Sequence, residues 1–336
     1  MKAAWYRRNG TAKDVLEVGE LPTPLPAEGE VRVRIHTSGV NPSDVKSRLK
    51  RPLTTALVVP HSDGAGVIDA VGAGVPTERI GQRVWLWNAQ WQRPMGTACE
   101  HVVLPAEQAV LLPDSVGFDA AACFGIPALT ALQAVHLAGP LAGKTVLVTG
   151  AGNAVGHCVT QLAVLQGARV IGTAGSPERQ RHARDAGAAH VIDYKNESVA
   201  ARVAELTQGL GADAVIDMDF GGTAALLPHR VLKPHGHLVC YGSNQPSDVV
   251  VDFRTLLFNS LRLTFFIVYE LTPADRARAI EELHTLLSAG QLRQTVAQTF
   301  ALEDIAAAHE AVESGSAVGN VVIRLHRDQT LTGPAF

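Results

Sequence analysis

The chain has 336 residues, 46% apolar and 18% charged, so it is long enough for two globular domains with full hydrophobic cores. Its formal net charge of -3 offers no attraction to nucleic acid or to an anionic membrane surface. The first residues, MKAAWYRRNG, lack a long apolar stretch, and no later window approaches the roughly 18 apolar residues of a membrane span. We therefore expect a cytoplasmic protein with neither nucleic acid nor a membrane as a partner.

Short apolar or alternating runs, separated by turns such as LPTPLPAEG, mark the first 125 residues as β-rich. These runs read EVRVRIHTSGV, AGVIDAVG, QRVWLW and EHVVL. The pattern predicts a compact β domain over residues 1–125.

Strand and helix patterns alternate from residue 126 onward. The strand patterns read TVLVTG, ARVIGTA, HVIDY, ADAVIDM and HGHLVCYGS, and a helical pattern follows each of the first four, the last of these being TAALLPHRVL. Such alternation predicts an α/β fold with a parallel, doubly wound sheet over residues 126–269. The run at 261–269 adds a last strand, which we expect at the edge of the sheet.

The C-terminal segment begins with a capped helix. Thr272 and Pro273 are typical N-cap and first-turn residues for the helix PADRARAIEELHTLLSAG, which Gly290 can end. The helix LEDIAAAHEAVESG and the strand GNVVIRL follow. We expect residues 270–336 to complete the N-terminal domain, with the residues after 325 frayed.

The stretch VTGAGNAVGH, residues 148–157, has the order strand, glycine turn, helix that a dinucleotide-binding crossover requires. Gly150 can end the strand, Gly152 allows unusual dihedral angles, and Gly156 permits close packing of helix on strand. The N–H groups from about Asn153 to Gly156 would then face a pyrophosphate.

The end of the second strand favours NADPH over NADH. Residues 172–176, GTAGS, lack the carboxylate that binds the ribose 2'-hydroxyl of NADH. Ser176 at the helix N-cap and Arg179 in the first turn could instead meet a 2'-phosphate, and Tyr194 could complete that wall. The alternative is that Arg179 and Arg181 are ordinary solvated charges.

This organisation resembles the medium-chain dehydrogenase/reductase superfamily, and within it the zinc-free quinone oxidoreductase (zeta-crystallin-like) branch. The resemblance rests on SGVNPSDVKSR, PHSDGAGVIDAVGAGV, IPALTA, VTGAGNAVGH, GTAGS, VIDY and GNVVIRL, and it covers almost the whole chain. It implies a Rossmann NADPH-binding domain at 126–269 and a GroES-like β-rich catalytic domain at 1–125, completed by 270–336.

Zinc-dependent relatives hold their catalytic metal with a cysteine, a histidine and a third ligand that is a second cysteine or an aspartate. The corresponding positions here are Asn41, Ser62 and Ile126, which do not form a zinc ligand set, and the closely spaced cysteines of a structural zinc loop are missing. His61, beside the second position, is expected to be a turn or core residue. We therefore expect no metal.

The resemblance also implies which residues contact the cofactor and the substrate, although it does not identify a catalytic residue. The expected cofactor contacts are Asn41, Thr130, Ala151, Asn153, Ala154, Val155, Thr173, Ser176, Arg179, Tyr194, Tyr241, Gly242, Ser243 and Asn320. The expected substrate contacts are Asn41, Lys46, Trp87 and Tyr241. Relatives often carry lysine at position 320 and tyrosine at position 46, so an ionic contact and a phenolic proton donor are absent from those two places.

Three of the four tryptophans lie in VWLWNAQW, where Trp85 and Trp87 on one strand would share a face and could form a flat wall for a quinone. Packing of the β domain is an equally good explanation.

The function that the resemblance implies is an NADPH-dependent, zinc-independent quinone reductase. The alternatives are a reductase of α,β-unsaturated carbonyls and a non-catalytic NADPH-binding or sensing protein. We expect a homodimer that pairs through the 261–269 edge strand.

Overall fold

The computed structural model describes residues 1–244 and 248–325, so the segment 326–336, predicted to fray, lies outside the described residues. The described residues divide by their contacts into two units, residues 1–126 with 296–325 and residues 127–295. Within the described ranges, no helix is both long and apolar enough to cross a membrane.

The N-terminal part of the first unit consists mainly of strands. They are β1 (Lys2–Trp5), β2 (Glu17–Glu20), β3 (Glu30–Val40), β4 (Asp63–Val71), β5 (Arg83–Leu86), β6 (His101–Pro105) and β7 (Ala109–Leu111). The helices are α1 (Ala12–Val15), α2 (Pro42–Lys50) and α3 (Phe118–Ala121). Burial along most of β3 alternates from residue to residue, because one face of this strand packs on the core while the other does not.

The second unit is a parallel sheet with helices between its strands. The strands are β8 (Thr145–Val148), β9 (Arg169–Ala174), β10 (His190–Asp193), β11 (Ala212–Asp217), β12 (Leu232–Cys240) and β13 (Arg262–Phe265), in the spatial order β10-β9-β8-β11-β12-β13. The helices are α4 (Leu129–Ala138), α5 (Ala154–Leu165), α6 (Pro177–Asp185), α7 (Val199–Leu206), α8 (Phe220–Thr223), α9 (Phe253–Phe258) and α10 (Pro273–Ser288). This is the doubly wound order of a Rossmann fold, so the predicted α/β class is confirmed.

The chain then returns to the first unit through β14 (Val296–Ala301), α11 (Ile305–Glu313) and β15 (Asn320–Arg324). These two strands extend the sheet of the first unit, whose order is β14-β15-β3-β4-β5-β7, with β6 also paired to β3. The predicted return of the C-terminal segment to the β domain is thus observed from residue 296 onward.

Residues 270–295 belong to the second unit and not, as predicted from the sequence, to the first. The reason is that α10 packs against α4. His136 on α4 lies 2.5 Å from a carboxylate oxygen of Glu282, and Arg278 donates to its other ring nitrogen at 3.2 Å. Both partners lie on α10, so this helix stays with the sheet that precedes it.

Two predicted elements are shorter than expected. The pattern TAALLPHRVL forms no α-helix: α8 ends at Thr223, and a 3₁₀-helix at Ala224–His229 contains Pro228, which cannot donate a helical hydrogen bond. The strand predicted at 261–269 stops at Phe265 because its neighbour β12 ends at Cys240, directly opposite. It does lie at the edge of the sheet, as expected.

Candidate functional site

The turn between β8 and α5 has the geometry of a phosphate-binding loop. Gly150 adopts a φ of +64°, a conformation that residues with a Cβ rarely take. A Cβ on Gly156 would overlap the carbonyl oxygen of Gly150, and a Cβ on Gly152 would overlap the backbone of Arg179. Glycine at 152 and 156 therefore lets α5 and α6 pack directly against the turn.

Hydrogen bonds tie this turn to the neighbouring strand β9. The hydroxyl of Thr173 accepts from the N–H of Gly150 at 3.0 Å, and its carbonyl accepts from the N–H of Ala151 at 2.9 Å. Ala154 and Val155 form the first turn of α5, where N–H groups have no acceptor within the helix. These predicted pyrophosphate contacts thus lie in one loop with the electropositive end of a helix.

The predicted 2'-phosphate residues meet at the start of α6. The hydroxyl of Ser176 accepts from the N–H of Arg179 at 3.3 Å and so caps the helix. The guanidinium of Arg179 is half-buried and donates to the side-chain oxygen of Asn153, which joins this corner to the phosphate turn. The hydroxyl of Tyr194 lies where a Cβ on Gly175 would project, so the phenol borders the same corner.

A carboxylate also lies at this corner. Glu178 follows Ser176 by two residues, and hydrogen bonds from its own N–H and from Ser176 lower the pKa of this carboxyl group. Arg181 lies 3.5 Å from it. Because the Glu178 side chain is 58% exposed and paired with Arg181, solvent and this arginine screen its negative charge.

Two stacked histidines support the turn from the side of α6. The rings of His157 and His182 are parallel within 8° with centroids 3.7 Å apart. Nδ1 of His182 donates to the carbonyl of Gly152 at 3.1 Å, and Nδ1 of His157 donates to the carbonyl of His182 at 3.0 Å. Burial lowers the pKa of His157 to about 4 and also lowers that of His182, so both imidazoles are neutral near pH 7.

The carboxyl ends of β11 and β12 hold the predicted nicotinamide contacts. Tyr241 donates its N–H to the carbonyl of Asp217 at 3.1 Å, and Gly242 accepts from the N–H of Phe220, also at 3.1 Å. The hydroxyl of Ser243 lies 3.3 Å from the N–H of Gly221.

Asp217 was not identified from the sequence, although a polar residue that ends a buried strand is a usable signal. Its side chain is fully buried and accepts from the hydroxyls of Thr149 and Thr223, both at 2.7 Å. Burial raises the pKa of this carboxyl group. Asp217 therefore connects β11 to the chain that follows β8, at the same edge of the sheet.

In the first unit, the positions that hold zinc in related enzymes converge on Asp63. One of its carboxylate oxygens accepts from the side-chain amide of Asn41 at 2.8 Å and from the backbone N–H of Ile126 at 3.0 Å. The other oxygen is buried and has no hydrogen-bond partner among the described residues. Burial and the neighbouring Asp44 raise the pKa of Asp63 well above its usual range.

His61 has a φ of +78°, which is strained for a residue with a side chain, and a chain of hydrogen bonds holds it there. Its Nδ1 lies 2.8 Å from the hydroxyl of Ser38, which lies 2.7 Å from that of Thr97, and Thr97 donates to the carbonyl of Asp63. Because that carbonyl can only accept, each donor in this series of hydrogen bonds must point toward it. Nε2 of His309 must then donate to Nε2 of His61, 2.9 Å away.

Burial lowers the pKa of His61 to about 3 and that of His309 well below its usual value, so both rings are neutral. His61 is thus a buried core residue, as expected. Within the described residues, no group of three or more histidine, cysteine, aspartate or glutamate side chains could hold a metal ion.

The remaining predicted contacts lie on or directly after α2, α4, β5 and β15. Lys46 is exposed on α2, and Asn320 is buried at the start of β15. Thr130 is buried in the first turn of α4. Trp87 is buried but lies beyond the end of β5, so it does not share a strand face with Trp85 as predicted.

Comparison with known proteins agrees with this architecture. Residues 27–114 match the alcohol dehydrogenase GroES-like domain family, and residues 154–285 match the zinc-binding dehydrogenase family. A quinone oxidoreductase of Pseudomonas aeruginosa is 33% identical over 323 residues, which cover 92% of this chain and 95% of that protein. The chain belongs to the quinone oxidoreductase branch of the medium-chain dehydrogenase/reductase superfamily.

Two further similarities bear on the chemistry of this family of oxidoreductases. A 2-haloacrylate reductase of a Burkholderia species is 29% identical, over 96% of this chain and 98% of that protein. The crystal structure of Escherichia coli quinone oxidoreductase complexed with NADPH matches with a TM-score of 0.87 and 26% identity, covering 97% of this chain and all of that one.

Proposed function

We propose that this protein is an NADPH-dependent quinone reductase that does not use zinc. The observation that carries the proposal is the joining of a phosphate-binding turn to a cationic corner. Arg179 reaches from α6 to Asn153 in that turn, and Ser176 caps the same helix. A pyrophosphate on the turn would therefore have a guanidinium and a helix N-terminus at the side where an adenosine 2'-phosphate extends.

The residues present fit the cofactor. Gly152 and Gly156 place no Cβ where it would overlap the turn or α6, and the first-turn N–H groups of α5 would hold the pyrophosphate. Ser176, Arg179 and Tyr194 would hold the 2'-phosphate. The other predicted contacts, on the nicotinamide side, remain proposals: Asn41, Thr130, Tyr241, Gly242, Ser243 and Asn320. NADPH supplies a hydride when it is bound.

The zinc-independent part of the proposal is supported by the donor groups around Asp63. Asn41 directs its amide N–H at the carboxyl group, and Ile126 contributes only a backbone N–H. Two N–H donors aimed at a buried carboxyl group do not form a metal site. Reduction without a Lewis acid suits a quinone, since a conjugated acceptor spreads the negative charge that it gains.

A second candidate is a reductase of α,β-unsaturated carbonyl compounds. The relative named 2-haloacrylate reductase favours it, because it matches this chain over nearly its full length. The same fold would then deliver hydride to the β-carbon of an unsaturated carbonyl compound instead of to a quinone. A protein that binds NADPH without turnover is the remaining alternative.

The test measures oxidation of NADPH or NADH from the loss of nicotinamide absorbance. The acceptor is an ortho-quinone or 2-cyclohexenone, and each reaction is run with and without EDTA. We expect EDTA-insensitive quinone reduction that prefers NADPH. Faster reduction of the enone would favour the second candidate. NADPH binding without oxidation by either acceptor would favour the binding protein, and loss of activity in EDTA would refute the zinc-independent mechanism.

We also propose that two copies pair through β13, the edge strand of the second unit. Phe265 on this strand and Ile267 just beyond it are 56% and 48% exposed. Pairing with a second copy would satisfy the free edge and cover these side chains. Sedimentation should give twice the chain mass of 35.5 kDa, and Phe265→Asp should shift the protein toward the monomer. A wild-type monomer at micromolar concentration would contradict this assembly.

A further inference from the structure

A cavity of about 360 Å³ lies within the first unit, between the loop that follows α2 and residues 90–93. Its lining includes Tyr6, Arg51, Leu53, Trp91 and Arg93, and none of the described residues that line it is an aspartate or glutamate. This volume is in the range of small-molecule sites. The cavity is therefore large enough for a compact organic molecule, and the charge of its wall is positive.

Arg51 and Trp91 form the most distinctive part of this wall. The guanidinium of Arg51 lies over the ring of Trp91, 4.7 Å from its centroid. It forms no hydrogen bond or ion pair with any described residue, so its N–H groups remain available to a ligand. Stacking holds the cation in place, which lowers the entropy cost of binding an anion.

The second arginine and the phenol differ from Arg51 in how they are held. Arg93 is half-buried and donates to the carbonyl of Asn88 at 3.2 Å and to the side chain of Gln108 at 2.7 Å. It therefore contributes a fixed positive charge. Burial raises the pKa of Tyr6 to about 12, so its hydroxyl keeps its proton at physiological pH and can act as a donor.

The loop that carries Trp91 is held in a strained conformation. Asn88 and Gln92 both have left-handed backbone angles, with φ of 52° and 57°. Left-handed residues other than glycine cost energy and occur often at ligand sites. Asparagine tolerates this conformation better than glutamine does, so the strain is greater at Gln92. The strain therefore supports a role for the loop in presenting Trp91 and Arg93 to the cavity.

We propose that this cavity binds a planar organic anion, a carbonyl acceptor that carries a carboxylate or sulfonate group. The guanidinium of Arg51 binds the anionic group, and the aromatic and apolar lining accommodates the ring. That the anion is the acceptor rests on the proposed function, whereas binding of the anion does not. The tryptophans of VWLWNAQW then differ in role, with Trp91 rather than Trp87 at the cavity.

The first test measures binding without cofactor or reaction. The full-length protein is titrated by calorimetry with 2-naphthoate and with 2-naphthamide, which has the same ring system but no charge. We expect naphthoate to bind at least about threefold more tightly, with the difference shrinking as salt is added. Equal binding of the two probes, or binding of neither, would overturn the proposal.

Arg51 variants locate the effect. Arg51→Gln should remove the preference for naphthoate, whereas Arg51→Lys, which keeps the charge, should retain part of it. Arg7→Gln is the matched control, because Arg7 is an exposed arginine that lies over Trp5 at 5.8 Å and does not line the cavity. Equal effects of Arg51→Gln and Arg7→Gln would place the anion elsewhere and overturn the proposal.

A kinetic test asks whether the bound anion is the acceptor. With NADPH, 1,4-naphthoquinone-2-sulfonate should have a lower KM than 1,4-naphthoquinone, and Arg51→Gln should raise the first KM while kcat changes little. Anion binding without quinone reduction would refute the proposed function and leave the cavity as an anion-binding site. Quinone reduction with no preference for the sulfonate would refute the assignment of anionic acceptors to the cavity and leave the proposed function intact.

Discussion

Replacing Arg179 by alanine should weaken the binding of NADPH far more than that of NADH. The guanidinium is half-buried at the first turn of α6, beside the N-cap Ser176 and the phenol of Tyr194. A hydrogen bond to a charged group contributes about 1.5–3 kcal/mol. Loss of such a bond to the 2'-phosphate predicts a rise in the NADPH Kd of roughly 10- to 150-fold.

A smaller effect on NADH follows from the contacts that Arg179 makes within the protein. It donates to the side chain of Asn153 and, at 3.4 Å, to the carbonyl of Gly152, so its removal loosens a turn that both cofactors would use. His182 still holds that carbonyl at 3.1 Å. Because these contacts act on the cofactor only through the turn, we expect the NADH Kd to rise by no more than about fivefold, which corresponds to about 1 kcal/mol.

The assay is a titration of nicotinamide fluorescence with each cofactor, carried out on the wild type and on Arg179→Ala. Arg181→Ala is the control, because Arg181 is an exposed arginine on the same helix that pairs with Glu178 at 3.5 Å. Its effect on both constants should be small. Equal weakening of NADPH and NADH by Arg179→Ala would refute the assignment of this residue to the 2'-phosphate.

Three further substitutions test other parts of the structure. Gly156→Ala should raise the Kd of both cofactors by about tenfold or more, because the new Cβ would overlap a backbone carbonyl of the turn. The control Gly117→Ala, with open space around the new Cβ, should leave both constants unchanged. Normal binding by Gly156→Ala would refute the assignment of this turn to the pyrophosphate. His182→Phe keeps a ring beside His157 but loses the donor to Gly152, so the same titration should show equally weaker binding of both cofactors. His182→Asn should restore part of that binding, and a loss confined to NADPH would contradict this role. Burial raises the pKa of Asp44 from 3.8 to about 7, so the stability that it contributes is complete at acidic pH and is lost as the pH rises toward 7. Asp44→Asn should therefore make the fall in Tm between about pH 5 and pH 8 smaller by a few degrees, and an unchanged fall would argue against a protonated Asp44.

The fold class and the cofactor turn follow from short stretches of sequence. The alternation of buried strands with helices, and the glycines of VTGAGNAVGH, depend on residues that are near one another in the chain. Ser176 likewise caps α6 as its position before Pro177 predicts. These features need only local dihedral preferences, apolar periodicity and backbone hydrogen bonds, so one sequence is sufficient to predict them.

Long-range packing decided other features. The sequence does not show that α10 stays with the second unit, because this depends on the contact of His136 with Glu282, 146 residues away. The strand at 261–269 stops at Phe265 because its neighbour ends, which no local pattern records. Glu178 was overlooked although it lies two residues from Ser176, because only the folded structure shows that the Ser176 side chain hydrogen-bonds its carboxyl group.

By itself, then, the sequence determined where most strands and helices and the phosphate turn occur, because these arise from interactions between neighbours in the chain. Only the tertiary structure decided which polar groups share a buried site. His61 meets His309 across 248 residues, and Asp63 collects N–H groups from Asn41 and Ile126. Burial then changes the protonation of these groups, and burial is a property of the assembled fold.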